Sequence, residues 1–198
     1  EIQPVLFSNA EGYLDIIDLN PADQISFNAS KEKYLTKRSE FLMDGREIPK
    51  QLLKKELTDT TFDHKITLGL AEVGEEISAL FDVNPIYYDL DKSNIRPDAA
   101  AELDKIVQVL KDNPDISIEL GSHTDARASA SYNLKLSQRR AESAVKYIIE
   151  HGIEASRIKA KGYGETQLIN GCSDGVDCSE EAHQENRRTE FKITDLND

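Results

Sequence analysis

Between Ile86 and Ile193 the apolar residues switch repeatedly between a two-residue period and a helical one, and this most limits the fold. Ile86, Tyr88 and Leu90 recur at every second position, as a strand with one buried face requires. Pro97 follows where a helix can begin, because its missing N–H costs nothing in a first turn. Leu103, Ile106, Val107 and Leu110 then form one apolar stripe, and Asn113-Pro114 stops it. Ile116, Ile118 and Leu120 return to alternation and predict a second strand. A helix is expected from about Ser131 to His151, with Ala141, Val145, Ile148 and Ile149 buried and Gly152 at its C-terminal cap. Arg157 to Lys161 reads as a third strand, ending in a glycine-rich turn, Gly162-Tyr163-Gly164. Thr189, Phe191 and Ile193 alternate as the last strand. The order is βαβαβ–β, an α/β chain of the α+β kind. Two main helices should pack on one face of a small mixed sheet, with right-handed crossovers.

A chain of 198 residues has room for this domain and a smaller one. Residues 1–77 are expected to be a separate β-rich segment and residues 78–198 the main domain, since Gly74-Glu75-Glu76 interrupts the apolar pattern. Tyr13-Leu14-Asp15-Ile16-Ile17 and the alternating Ile25 and Phe27 are candidate strands. The net charge of −13 argues against a nucleic-acid partner, which would be repelled before contact. No apolar run approaches the roughly 20 residues that span a bilayer. Glu1-Ile2-Gln3-Pro4 does not open a signal peptide, so the chain is expected to be a mature or excised soluble fragment.

The chemistry concentrates between Gly121 and Arg140. Gly121-Ser122-His123-Thr124-Asp125 brings an acid off a strand end, and Tyr132-Asn133-Leu134-Lys135-Leu136-Ser137-Gln138-Arg139-Arg140 returns paired arginines on a helix. An anion and a cation on two rigid elements suit a zwitterion: Asp125 takes an ammonium, and a guanidinium grips a carboxylate with two prongs. The bland alternatives are a helix N-cap for Asp125 and an exposed salt bridge for the arginine. Arg139 and Arg140 point about 100° apart on a helix, so one can face a pocket while the other faces solvent. Asn133, two turns before Arg140 on the same face, can orient a ligand or the loop. Leu136 between them is either a pocket wall or an ordinary core leucine. His123 with Asp125 makes neither a metal site nor a dyad by itself. No HExxH, phosphate loop or nucleophile elbow is present, so no metal, cofactor or catalysis is expected.

These stretches resemble the OmpA-like C-terminal domain, a peptidoglycan-binding module of Gram-negative envelope proteins. The likeness runs from about Asn84 to Ile193. It includes Tyr88-Asp89-Leu90-Asp91-Lys92-Ser93-Asn94-Ile95-Arg96 and Asn186-Arg187-Arg188-Thr189-Glu190-Phe191. One departure is Ser122, where the family usually has glycine. The resemblance implies the same fold and the second arginine, Arg140, as the ligand residue. It also implies a pocket bordered by the loop of Asp89 and Asp91, with Asp91 contributing to ligand contact. It implies diaminopimelate of the peptidoglycan stem as ligand, and a protein at the periplasmic face of the outer membrane, tethering that membrane to the wall. The alternative is a domain of the same fold that serves a protein partner and not the wall. Either Arg187 or Arg188 would buttress the pocket. The first segment weakly resembles the tail of a carboxypeptidase-regulatory β-sandwich, which often precedes this module in Bacteroidetes envelope proteins.

Cys172 and Cys178 lie in a flexible Gly- and Asp-rich stretch and are expected to form a disulfide, as an oxidising compartment allows. The rival is a metal site with His183 or Asp174, although two thiols with five residues between them and no second pair make a poor zinc pattern.

Overall fold

The computed structural model describes residues 7–14, 16, 24–42, 63–88 and 92–196. The chain divides into two compact units, one of Glu1–Asn28 and Arg38–Ile66, the other of Ala29–Lys37 and Thr67–Asp198. Strands β1 (Gln24–Ala29) and β2 (Lys37–Leu42) form a two-stranded sheet. β1 contains the expected Ile25–Phe27 strand. Within the first unit the His64 ring stacks on Phe27, meets the edge of Phe41, and lies 2.8 Å from the Ser39 hydroxyl. Tyr13, Leu14 and Ile16 are not in a strand, and Asp15 and Ile17 lie outside the described residues.

The second unit is built on helix α1 (Pro97–Asp112), strand β3 (Ile116–His123), helix α2 (Ala130–Glu150), strand β4 (Ile158–Gly164), helix α3 (Glu180–Asn186) and strand β5 (Thr189–Leu196). β3 is central, parallel to β4 and antiparallel to β5, with Leu120 opposite Ala160 and Phe191. Its alternation works as expected: Ile116, Ile118 and Leu120 are buried while Ser117 and Glu119 are half-buried. Leu103, Ile106 and Leu110 of α1 share one hydrophobic cluster with Ala141, Ala144 and Ile148 of α2 and Phe191 and Ile193 of β5. Pro97 opens α1, and Asn113 closes it, its amide donating to Val109 O at 2.8 Å. Gly152, at φ +96°, ends α2 in a left-handed conformation that glycine adopts without strain.

Three details differ from the sequence reading. The expected first strand at Ile86, Tyr88 and Leu90 is absent from residues 83–88, and residues 89–91 lie outside the described residues. Ile86 is nonetheless buried, because alternation reports which side chains face a core, not whether the backbone finds a ladder. The free edge of β5 is met instead by residues 74–77. Ile77 N–H donates to Phe191 O, Ile193 N–H donates to Glu75 O, both at 3.0 Å, and Glu76 bridges Lys192. Residues 67–77 and 29–37 therefore pack with the second unit, where Leu35 joins the hydrophobic cluster and Thr36 N–H donates to the Asn113 side chain at 2.7 Å. The boundary expected between residues 77 and 78 falls inside that unit.

The second difference is at Gly162 and Gly164, which belong to β4 rather than to a turn. α2 lies directly on this strand. A Cβ on Gly162 would stand 2.3 Å from the Gln138 backbone nitrogen, and one on Gly164 2.9 Å from that of Leu134. Gln138 and Ser137 side chains accept the N–H groups of Gly162 and Gly164 at 2.7 and 2.8 Å. The third difference is α3. Six polar residues and one alanine offer no apolar period, and the cues are local: the Ser179 hydroxyl accepts Ala182 N–H, and Glu180 and Glu181 occupy the first turn.

Candidate ligand-binding site

The site forms where β3 ends. Thr124 N–H donates to Gly164 O at 2.9 Å, which carries the chain past the sheet, and Asp125 follows with only 8% of its surface exposed. Asp125 is not the cap of α2. Ser129 holds that place and accepts Tyr132 N–H. The loop between them is held by Asn133, whose amide donates to Asp125 O at 3.0 Å, to Ala128 O at 3.3 Å and to the Glu165 carboxylate. Of the two roles open to Asn133, the structure shows the positioning of the loop.

The Asp125 carboxylate is at one corner of a four-membered ring of charges. Its Oδ2 accepts from Arg127 Nη2 at 2.7 Å and Nε at 3.1 Å, and from Arg187 Nη1 at 2.6 Å. Glu180, from the first turn of α3, closes the ring, with its oxygens 2.6 Å from Arg127 Nη1 and 2.6 Å from Arg187 Nη2. Burial pushes the Asp125 pKa up, but the hydrogen bonds from Arg127 and Arg187 outweigh burial and hold it below the usual carboxylate range.

Arg140 is buried and its neighbour Arg139 is exposed, as the spacing on a helix allows. Its guanidinium lies 5.0 Å over the Tyr88 ring, and its Nε donates to Lys92 O at 3.1 Å. The Tyr88 hydroxyl donates in turn to Arg140 O at 3.1 Å. Burial lowers the Arg140 pKa, while the nearby phenol of Tyr88 opposes this; Arg187 and Asp125 are also within electrostatic reach. Burial raises the Tyr88 pKa, so its hydroxyl stays protonated and a donor.

Arg140, Arg187 and Tyr88 line one small cleft together with Ser122, His123 and Thr189. Asp125 is not among the residues that line it and sits behind Arg187. Leu136 is buried but belongs neither to the main cluster nor to the cleft wall. Asp89 and Asp91 lie outside the described residues.

The structure separates the two terminal arginines. Arg187 holds Asp125 and also donates to Gln184, whereas Arg188 is tied to Glu190 at 2.8 Å and to Gln167 O at 3.0 Å. Sequence reading missed Arg127 and Glu180 altogether. Arg127 stands two residues after the acid, a cue that could have been used; Glu180 is 55 residues away and had no sequence signal.

His123 is 1% exposed and stacks on Tyr163 with centroids 4.9 Å apart. Burial, then the positive charge of Arg188, push its pKa down to about 4, so the ring is neutral at pH 7. Neither ring nitrogen has a hydrogen-bond partner, and no bond joins it to Asp125 as a dyad would require. Cys172 and Cys178 are joined in a disulfide, Cα atoms 5.9 Å apart. Among the described residues no group of three His, Cys, Asp or Glu side chains is placed to hold a metal, and no helix is long and apolar enough to cross a membrane. The disulfide loop leads into α3. Asn170 donates to Ala182 O at 2.8 Å and accepts from Asn186 at 2.7 Å, which fastens the helix carrying Glu180.

Comparison with known proteins agrees with this architecture. The model of the OmpA family matches residues 87–182. The peptidoglycan-associated lipoprotein of Rhizobium meliloti (strain 1021) is 31% identical over 122 residues, covering 61% of this chain and 69% of that protein. Outer membrane porin F of Pseudomonas fluorescens is 30% identical over 123 residues, covering 62% of this chain and 35% of the porin. Photosystem I P700 chlorophyll a apoprotein A2 of Gloeobacter violaceus is 39% identical over 110 residues, 54% of this chain but only 12% of that protein. The chain thus spans a minor part of the last two. With the family model and a relative covered over more than two thirds of its length, this chain belongs to the OmpA family.

Proposed function

We propose that the second unit binds peptidoglycan non-covalently through the diaminopimelate of its stem peptide. It would anchor an outer-membrane protein to the cell wall from the periplasmic face of that membrane. The reading is a binding domain and not an enzyme. It is supported by a buried acid on the β3–α2 loop and a buried guanidinium on α2, two turns beyond Asn133, that lie within electrostatic reach of each other. The free end of diaminopimelate carries an ammonium and a carboxylate; Asp125 would take the first and Arg140 the second. A stem residue without that end leaves one buried charge unpaired, which is how such a site discriminates. The loop of Asp89 and Asp91 would border the pocket, with Asp91 in contact with the ligand. The names of the relatives support the wall as partner, since one of them is a peptidoglycan-associated lipoprotein.

Calorimetric titration with diaminopimelate tests the reading. Asp125→Ala and Arg140→Ala should each weaken binding by roughly 2–5 kcal/mol, the cost of stranding one member of a desolvated charge pair. Unchanged affinity in both variants refutes the assignment. One observation favours a second reading. Asp125 is already ion-paired with two arginines, as in a domain that keeps the fold for a protein partner. Retention of the protein on purified peptidoglycan separates the two.

A further inference from the structure

The charge ring around Asp125 has an inner and an outer half. The side chains of Asp125 and Arg187 are 12% and 23% exposed, those of Arg127 and Glu180 50% and 63%. Oδ2 of Asp125 accepts three guanidinium donors, two of them from Arg127. A carboxylate oxygen offers about two lone pairs, so this oxygen has no room for a further donor. An incoming ammonium seeks the same kind of bond to the same group, and its charge is repelled by both guanidiniums. Arg187 is anchored on the inner side by Gln184 and lines the cleft. Arg127 lies on the solvent side, with a second carboxylate, Glu180, 2.6 Å from its Nη1. The Arg127 backbone N–H donates independently to Asp125 Oδ1 at 3.3 Å, so the turn of the loop does not depend on the side chain.

We infer that Arg127 is an internal competitor for Asp125 and sets the affinity of the site. Its guanidinium fills Oδ2, the oxygen that Arg187 also holds, and must withdraw onto Glu180 before that oxygen can accept the ligand's ammonium. The inference rests on the proposed function and deepens it. It makes opposite predictions for two arginines that touch the same oxygen. Loss of the Arg127 side chain should tighten binding, whereas loss of Arg187 should weaken it by releasing Asp125 from its place.

Free diaminopimelate is titrated by calorimetry into the wild type, Arg127→Ala, Arg127→Met and Arg187→Ala. Thermal unfolding confirms that each variant is folded, and Arg127→Met keeps the bulk of the side chain if the alanine variant is unstable. Both Arg127 variants should bind about two- to fivefold tighter than the wild type, the range that a half-exposed ion pair spans. A wild type that binds, with Arg127 variants equal or weaker, overturns the competitor and leaves the proposed function standing. Absence of binding in all the proteins overturns both. Binding by the Arg127 variants alone supports the competitor in its strongest form.

Discussion

At the residue scale, His123 shows how burial sets chemistry. The histidine two residues before Asp125, which with that acid makes neither a metal site nor a dyad, is enclosed, stacked on Tyr163 and held neutral. Its folded pKa, about 4, lies below the ordinary 6.5. The unfolded chain therefore binds more protons between those values, and the linkage relation makes stability rise with pH there. The stability of the neutral ring is fully present above about pH 6.5 and is lost as pH falls towards about 4. Unfolding midpoints in urea across this window should drop on acidification, and His123→Asn should flatten the slope. A variant as steep as the wild type would show that other groups carry it. The same scale explains which candidate residues were legible. Asp125, Asn133 and Arg140 lie within one helix and its leading loop, so periodicity relates them. Arg187 reaches Asp125, and Glu180 reaches Arg127 and Arg187, only through a strand order and a disulfide loop that no local pattern encodes.

At the scale of elements, two contacts decide how the site is held. The first is the approach of α2 to β4. Gly162→Ala would place a Cβ against the Gln138 backbone, which cannot rotate away as a side chain can. Overpacking of this kind costs about 1–3 kcal/mol, so the urea midpoint should fall without a change in its slope. The second is the tie between the disulfide loop and α3. Cys172→Ser with Cys178→Ser opens a seven-residue ring, for which the chain-entropy model gives about 2–3 kcal/mol, read from the same urea curves. Unchanged stability would mean that Asn170 and Asn186 hold α3 without the bond. α3 itself escaped the sequence reading because a seven-residue helix with Ala182 as its one apolar residue has no apolar face, and its signs were only the Ser179 cap and the first-turn acids.

At the scale of the whole molecule, the charge of −13 disfavours a nucleic-acid partner, and the proposed function holds its ligand without transforming it. Purified wall incubated with the protein should be recovered intact. Chromatography showing muropeptides above a no-protein control, lost in Asp125→Ala, would overturn the binding reading. The sequence by itself determined the helices α1 and α2 and the strands β3, β4 and β5. Each follows from spacing along a short stretch, where the period of burial is the period of the element. Only the tertiary structure decided that residues 74–77, and no described part of the expected first strand, line the edge of β5. It alone placed Arg187 rather than Arg188 on Asp125, and closed the ring through Arg127 and Glu180. Those outcomes depend on which backbone edge and which charge arrive at one point in space. That is set by the packing of elements distant in sequence, and no local period records it.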